Sequence, residues 1–318
     1  MYIKFWGVRG SIATAIVKDE VKMKLEKALA YASPADLLSP EKVDEYIESL
    51  PLSIKGTFGG NTTCIEVRNK NNDVFIIDGG TGLARFGHQL MLEERARTGM
   101  DIRMFVTHTH WDHIQGIMFF GPFYIPDNKV HFYSSFQDVK DRLRYQTPPT
   151  HFPITFEDLP VQKEFHYMPE GVEMAIDGLT VSSKAVRHPG TAYSYKFKDK
   201  YNKTFIFCSD AEFNLDVIQD IIPFIEYFKD ADVLVFDTQY TFSESFQKID
   251  WGHSSAQMAT DIAIKSNVKK LILFHHDPSY NDEKMDAMTI QALKYKELMA
   301  PTHFLEIETA YEGLEINI

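Results

Sequence analysis

Three imidazoles and a carboxylate fall within the six residues His108-Thr109-His110-Trp111-Asp112-His113. Imidazole and carboxylate together suit a zinc, manganese or iron ion. The cluster follows the apolar run Met104-Phe105-Val106, so it stands where a buried strand would end. His108 and His110 are two apart and share a face on extended backbone. Asp112 suits a helix N-cap, and Ile114–Phe120 can begin that helix. A cation there takes two imidazoles from the strand end, while Asp112 and His113 turn toward a second cation. A histidine-rich surface loop is the bland alternative, and the density of ligand types after a buried strand argues against it.

The pattern recurs. Val74-Phe75-Ile76-Ile77 runs into Asp78, Phe205-Ile206-Phe207 leads to Asp210, and Val233-Leu234-Val235-Phe236 ends at Asp237. Leu271-Ile272-Leu273-Phe274 ends at His275, and Val181–Val186 leads to His188. Ligands of α/β sheets bind at the carboxyl ends of strands, and Asp and His avoid cores unless paired. Each candidate has a plainer role. His188, in Arg187-His188-Pro189-Gly190, would serve a turn, and Asp210 would cap the next helix. His275 and His276 are neighbours and face opposite ways on a strand, so only one joins a site. Cys208 reads as a small buried thiol. His88, His131, His151, His166 and His303 lack such context and read as surface or structural histidines. His151, in a proline-rich stretch, is placed to cap a pocket.

The elements that must position these groups follow from periodicity. Residues 2–6 form a first strand, and 18–50 read as a helical insertion, with Ser39 and Pro40 starting its second helix. Thr62–Arg68 and Val74–Asp78 alternate as a hairpin. Thr81–Arg97 is an amphipathic helix closed by Gly99. Strands then alternate with helices: 101–106, 129–133, 179–186, 192–197, 203–208, 232–236 and 270–274 against 136–145, 214–228, 254–266 and 283–299. Two more strands fit near 303–308 and 313–318. The simplest account is one layered α/β domain over residues 1–318.

Bulk properties narrow the partners. The chain has 318 residues, 44% hydrophobic and 25% charged, enough to bury a core without disulfides. Two cysteines, Cys64 and Cys208, give no disulfide framework. No run is apolar for the length of a membrane span, and the first residues lack a signal-peptide pattern, so the expected location is the cytoplasm. A net charge of −12 disfavours a long polyanion as ligand.

The 108–113 cluster resembles the HxHxDH signature of the metallo-β-lactamase-fold superfamily, and the likeness covers most of the chain outside the insertion. It implies an α/β (α+β) fold of four layers, an αββα sandwich holding two divalent metal ions at one edge, zinc first, with manganese or iron as alternatives. It implies that His108, His110 and His188 bind one ion, that Asp112, His113 and His275 bind the other, and that Asp210 bridges them. Asp78 matches the aspartate that braces the metal loop. The stretch 232–277 resembles the ribonuclease Z branch, which has an acidic residue after a strand and then Gly-His-Ser-Thr. Here these are Asp237 and Gly252-His253-Ser254-Ser255. The likeness implies that Asp237 orients His253, which assists the leaving oxygen, whereas the plainer role for His253 is to cap the following helix. Asp112, Asp237 and His253 form the expected catalytic set.

Two departures count against transfer-RNA processing. Phe236-Asp237 replaces the usual His-Glu, and only a hairpin fits between His188 and Asp210 where that branch carries a basic arm. Trp6–Ile12, Gly59–Thr62 and Phe274–Pro278 are similar to an armless bacterial branch resembling cyclic-nucleotide phosphodiesterases. The expected activity is therefore hydrolysis of a small phosphodiester, such as a cyclic nucleotide, by hydroxide held between two ions about 3.5–4 Å apart. Rival readings are a tRNA 3′-end endonuclease, a lactone or thioester hydrolase, and a non-enzymatic metal-bound sensor. Arg9 and Asn61 either contact substrate or serve turns. The insertion covers the pocket or makes a homodimer contact.

Overall fold

The computed structural model describes residues 1–213 and 218–318. The first sheet is built from β1 (Tyr2–Gly7), β2 (Cys64–Arg68), β3 (Val74–Ile77), β4 (Asp101–Phe105), β5 (Lys129–Ser134) and β6 (Gln162–Tyr167). The second uses β7 (Met174–Ile176), β8 (Leu179–Val186), β9 (Ala192–Asp199), β10 (Thr204–Cys208), β11 (Val233–Asp237), β12 (Lys270–Phe274) and β13 (Glu306–Thr309). β14 (Glu315–Asn317) returns to the first sheet beside β1. The orders are β14-β1-β2-β3-β4-β5-β6 and β13-β12-β11-β10-β9-β8-β7.

The layers follow from which faces are apolar. Side chains alternate across a strand, so β4 sends Phe105 into the space between the sheets and Ile102 and Met104 to the outer face. Phe5, Phe75, Phe105, Tyr195, Phe197, Phe205, Phe207 and Phe274 fill the inter-sheet core. On the outer face of the first sheet, helix Gly82–Leu90 buries Leu83, Phe86 and Leu90. On the second, helices Ile218–Phe228 and Ala256–Lys265 supply Ile221, Phe228, Ala259 and Ile262, and Asp282–Met299 adds Ala292. The result is helix, sheet, sheet, helix, as expected.

The strands that carry chemistry run parallel. β3, β4 and β5 are parallel neighbours in one sheet, and β10, β11 and β12 in the other. Every residue of β3 is buried because both faces are covered. Parallel strands end at the same rim, so the residues after Ile77, Phe105, Cys208, Asp237 and Phe274 are gathered there.

Several expectations need correction. The helix read over Thr81–Arg97 is two, Gly82–Leu90 and Arg95–Thr98. At the break Glu93 pairs with Arg68 at 2.7 Å, a contact that an unbroken amphipathic pattern does not anticipate. Gly99 does close the second piece, at φ 125°. The helix expected after Asp112 is one turn, Trp111–Ile114, followed by a 3-10 turn at Ile117–Phe119. His110, not Asp112, is the residue at its N-cap. β6 escaped notice because it is an edge strand with polar residues on both faces, and β7 is only three residues long. Helix Phe242–Gln247, capped by Thr241, also went unread. The helix expected over 214–228 is present from Ile218, and 214–217 lie outside the described residues. The insertion contains helices Lys18–Tyr31 and Pro40–Ser49, the latter capped by Ser39 as expected. Among the described residues no helix is long and apolar enough to cross a membrane.

Phe105 packs against Phe75, Tyr133, Tyr195 and Phe197 and has no exposure. Phe105→Ala should cost about 3–5 kcal/mol, as cavity-forming aromatic truncations do. Chemical denaturation would read this as a lower midpoint at unchanged slope.

Candidate metal centre

At the shared rim, side chains from three separate stretches, 108–113, His188 and His275, converge on Asp210. Its Oδ2 lies 3.6 Å from His108 Nε2 and 3.7 Å from His188 Nε2. His188 Nε2 is in turn 3.0 Å from His110 Nδ1. Its Oδ1 lies 3.0 Å from His113 Nε2 and 3.2 Å from His275 Nε2. Asp112 Oδ2 completes this second group, 3.3 Å from His113 Nε2 and 3.2 Å from His275 Nε2. One carboxylate therefore faces His108 and His188 with one oxygen and His113 and His275 with the other. The two groups, His108-His110-His188-Asp210 and Asp112-His113-Asp210-His275, could each hold an ion.

The hydrogen-bond inventory fits cations there. His108 Nε2 and His113 Nε2 are buried and have no hydrogen-bond partner, although carboxylate oxygens lie close by. Such orphaned buried atoms are costly and rare. Each of the two lies in one of the donor groups on either side of Asp210, where a cation would partner it.

The opposite ring nitrogens are held by the protein. Asp78 Oδ2 lies 2.7 Å from His113 Nδ1 and also accepts from Thr107 Oγ1, while its Oδ1 accepts from Thr107 N. His188 Nδ1 donates to Gly252 O at 3.0 Å, and His275 Nδ1 donates to Gln239 Oε1 at 3.0 Å. Asp112 Oδ2 accepts from Ser11 N at 2.7 Å, so this side chain reaches outward rather than capping its own helix. The bonds at Nδ1 of His113, His188 and His275 fix each ring so that its Nε2 faces the donor groups.

Backbone strain sits in the same place. Asp78, Asp210 and His275 have φ of 59°, 56° and 63°, a region costly for residues with side chains. Each follows the end of a strand, where the turn aims its side chain back across the rim. Gly252, at φ 89°, lies so close that a Cβ would fall 2.2 Å from His188 Nδ1. That contact explains the glycine before His253.

Electrostatics separates the two groups. Burial, reinforced by His113, pushes His108 well below the usual imidazole range. Burial likewise lowers His110 and His188, leaving neutral rings with free lone pairs. In the second group burial also works against charge, but Asp210, Asp112 and Asp78 outweigh it and raise His113 well above its usual value. Burial opposes protonation of His275 too, yet Asp210 and Asp112 lift it to about 8. Burial alone would raise Asp210, but His113, His275 and His108 hold it well below the carboxylate range. The field at the second group thus favours positive charge.

The other candidates sort clearly. His253 Nδ1 lies 2.7 Å from Asp237 Oδ2, and its ring is 5.2 Å from that of His188 and 4.9 Å from that of His275. Ser255, not His253, caps helix Ala256–Lys265, accepting from Met258 N. His276 faces away and donates from Nε2 to Ala310 O, and burial lowers it to about 3. Arg9 donates to Gly59 O, Asp277 O and Tyr280 O, and Asn61 bonds Glu312, so both brace turns. His151 is exposed and contacts Thr150. Burial pushes the Cys208 thiol up, consistent with a packed group. Sequence reasoning missed Gln239, Thr107 and the Ser11 backbone. Gln239 stands two residues past Asp237, a spacing that could have flagged it.

Residues 74–276 match the beta-lactamase superfamily domain. The chain belongs to that family. Its fold implies divalent metal binding, which the two donor groups fit. Among similar proteins, ribonuclease Z of Picrophilus torridus is 39% identical over 66 residues, which are 20% of this chain and 21% of that protein. The match thus spans about a fifth of that relative's length. Ribonuclease Z of Crocosphaera subtropica is 24% identical over 293 residues, 70% of this chain and 86% of that one. The metallo-beta-lactamase fold protein YhfI of Bacillus subtilis superposes with a TM-score of 0.64 at 15% identity, covering 99% of this chain and 98% of that one. This last likeness establishes the fold.

Within this beta-lactamase-superfamily site, Gln239→Leu removes the acceptor that orients His275 and should weaken metal affinity about 10–100-fold. Competition with a chromophoric chelator measures this.

Proposed function

We propose that this protein is a metal-dependent hydrolase of small phosphodiesters. The observation that carries the reading is the part-buried His253–Asp237 pair, at 2.7 Å, beside both donor groups. His108, His110 and His188 would hold one divalent ion, Asp112, His113 and His275 another, and Asp210 both. The donor set suits zinc, with manganese or iron as alternatives. Bound divalent ions supply Lewis acidity, lowering the pKa of water and taking up charge on phosphoryl oxygens.

The chain's own contribution is proton delivery. Asp237 is fully buried and also accepts from Ala211 N and Gln239 N, so its carboxylate is fixed. Held by Asp237 at Nδ1, the His253 ring keeps one orientation. Its Nε2 gives a proton to the departing alkoxide, and the Asp237 charge stabilises the imidazolium before transfer. A hydrolase of lactones or thioesters has no need of this pair.

The surroundings favour a small ester with a flat apolar group. A cavity of about 60 Å³ beside His253 is lined by Phe213, Phe242, Phe246, Ile249 and Met258. Phe242 and Phe246 meet edge to face at 4.8 Å and remain partly exposed. The exposed Phe242 and Phe246 rings would give a nucleobase a face to stack on, which supports a cyclic nucleotide as substrate. Similarity to ribonuclease Z favours a second reading, cleavage of transfer RNA. Against it stand the net charge of −12 and the tight β9–β10 hairpin between His188 and Asp210.

His253→Gln should lower kcat for a cyclic nucleotide about 10²–10⁴-fold. Hydrolysis of bis(p-nitrophenyl) phosphate should fall far less, because p-nitrophenolate leaves without a proton. Equal losses on both, or none on the cyclic nucleotide, would remove His253 from the mechanism. Phe246→Ala should raise KM for the nucleotide while leaving that for bis(p-nitrophenyl) phosphate nearly unchanged.

A further inference from the structure

A second cluster of metal-ligating side chains lies on β5 and β6, away from the rim. His131 and Glu164 are paired across the two strands, and His166 is two residues beyond Glu164 on the same face. His131 Nδ1 is 3.0 Å from His166 Nε2 and 3.2 Å from Glu164 Oε2. His166 Nε2 is 3.7 Å from that same oxygen. Three donor atoms thus form a closed triangle with sides of 3.0, 3.2 and 3.7 Å, in the same range as the successive donor spacings along the first group. Zinc bonds of about 2.0–2.1 Å to nitrogen and oxygen put tetrahedral donors about 3.3 Å apart. A lone hydrogen bond between two imidazoles would not require the carboxylate to close the triangle.

We propose that His131, Glu164 and His166 form a further divalent-cation site, for zinc or a similar borderline ion, that staples the edge strand β6 to β5. His131, Glu164 and His166 side chains are 17%, 46% and 33% exposed, so an ion can enter from solvent and keep water on its remaining position. Lys129 Nζ holds the other Glu164 oxygen at 2.5 Å, which keeps the carboxyl below its usual range and turns Oε2 toward the histidines. Burial and the neighbouring His131 lower His166, leaving its lone pair free. Asp101 Oδ1 lies 3.8 Å from His131 Nε2, the nitrogen not used in the triangle. The rings are fixed from below: His166 stacks on Tyr133 at 4.6 Å, and Tyr133 stacks on Phe105 at 4.9 Å. The site therefore caps the aromatic column of the inter-sheet core. It lies toward the amino ends of the parallel strands, since Asp101 and Lys129 begin β4 and β5. The ion would lock an edge that is otherwise held on one side only.

The test compares zinc equivalents bound per chain, by dialysis and metal analysis, for the full chain and for His131→Gln/His166→Gln. The variant should bind one equivalent fewer, with turnover of bis(p-nitrophenyl) phosphate unchanged, and zinc should raise its Tm less than that of the parent. The same number of equivalents in both overturns the site. If the double variant does not fold, Glu164→Gln, at an exposed side chain, replaces it and should weaken that equivalent at least tenfold. Unchanged affinity there overturns the site equally. A chain carrying His110→Ala, crippled in the first donor group, should still bind the ion lost in the β5–β6 variant. This separates the proposal from the reading of the rim.

Discussion

The rim buries more carboxylate than its surroundings can neutralise. Asp78, Asp112, Asp210 and Asp237 lie at or near zero exposure within one cluster, and no lysine or arginine pairs with them among the described residues. Such charge is tolerated only when paired or bound to metal. Imidazoles supply the partners, and the unpartnered Nε2 atoms of His108 and His113 leave room for cations. Most of the rest of the molecule can be understood as the means of holding this arrangement.

Two devices hold it. Parallel strands deliver their ends to a common edge, so residues far apart in the chain meet without long side chains. Strained turns then aim them: Asp78, Asp210 and His275 all adopt positive φ directly at the ligand cluster. Strain of this kind, of order 1–3 kcal/mol per residue, persists only where the surroundings over-determine it. Here the surroundings are two covered sheets with phenylalanine at several inward positions.

The sandwich also explains why the His253–Asp237 pair and the two donor groups are neighbours. Asp237 ends β11 between β10, which leads to Asp210, and β12, which leads to His275. A proton donor attached to Asp237 must therefore stand next to both donor groups. Phe242 and Phe246 sit on the connection from β11 to His253, so the two groups to which the proposed function gives proton delivery and substrate contact share one short segment.

Much of this was legible in the chain because it is written locally. Apolar runs gave the buried strands, and an Asp or His just beyond each run named the rim residues. Residue types and their distance from a strand end were thus determined by the sequence itself. What it left open depends on sheet order and register, which bring together residues such as His110 and His188, 78 positions apart. Gln239 as the acceptor for His275, Ser11 as the donor to Asp112, and the near-contact of Gly252 with His188 have no local signature. His131, Glu164 and His166 read singly as surface groups, and only the parallel pairing of β5 with an unforeseen edge strand turns them into a triangle. Tertiary structure decided these, because side-chain convergence is a property of strand neighbours, and periodicity along one strand does not say which neighbour it will have.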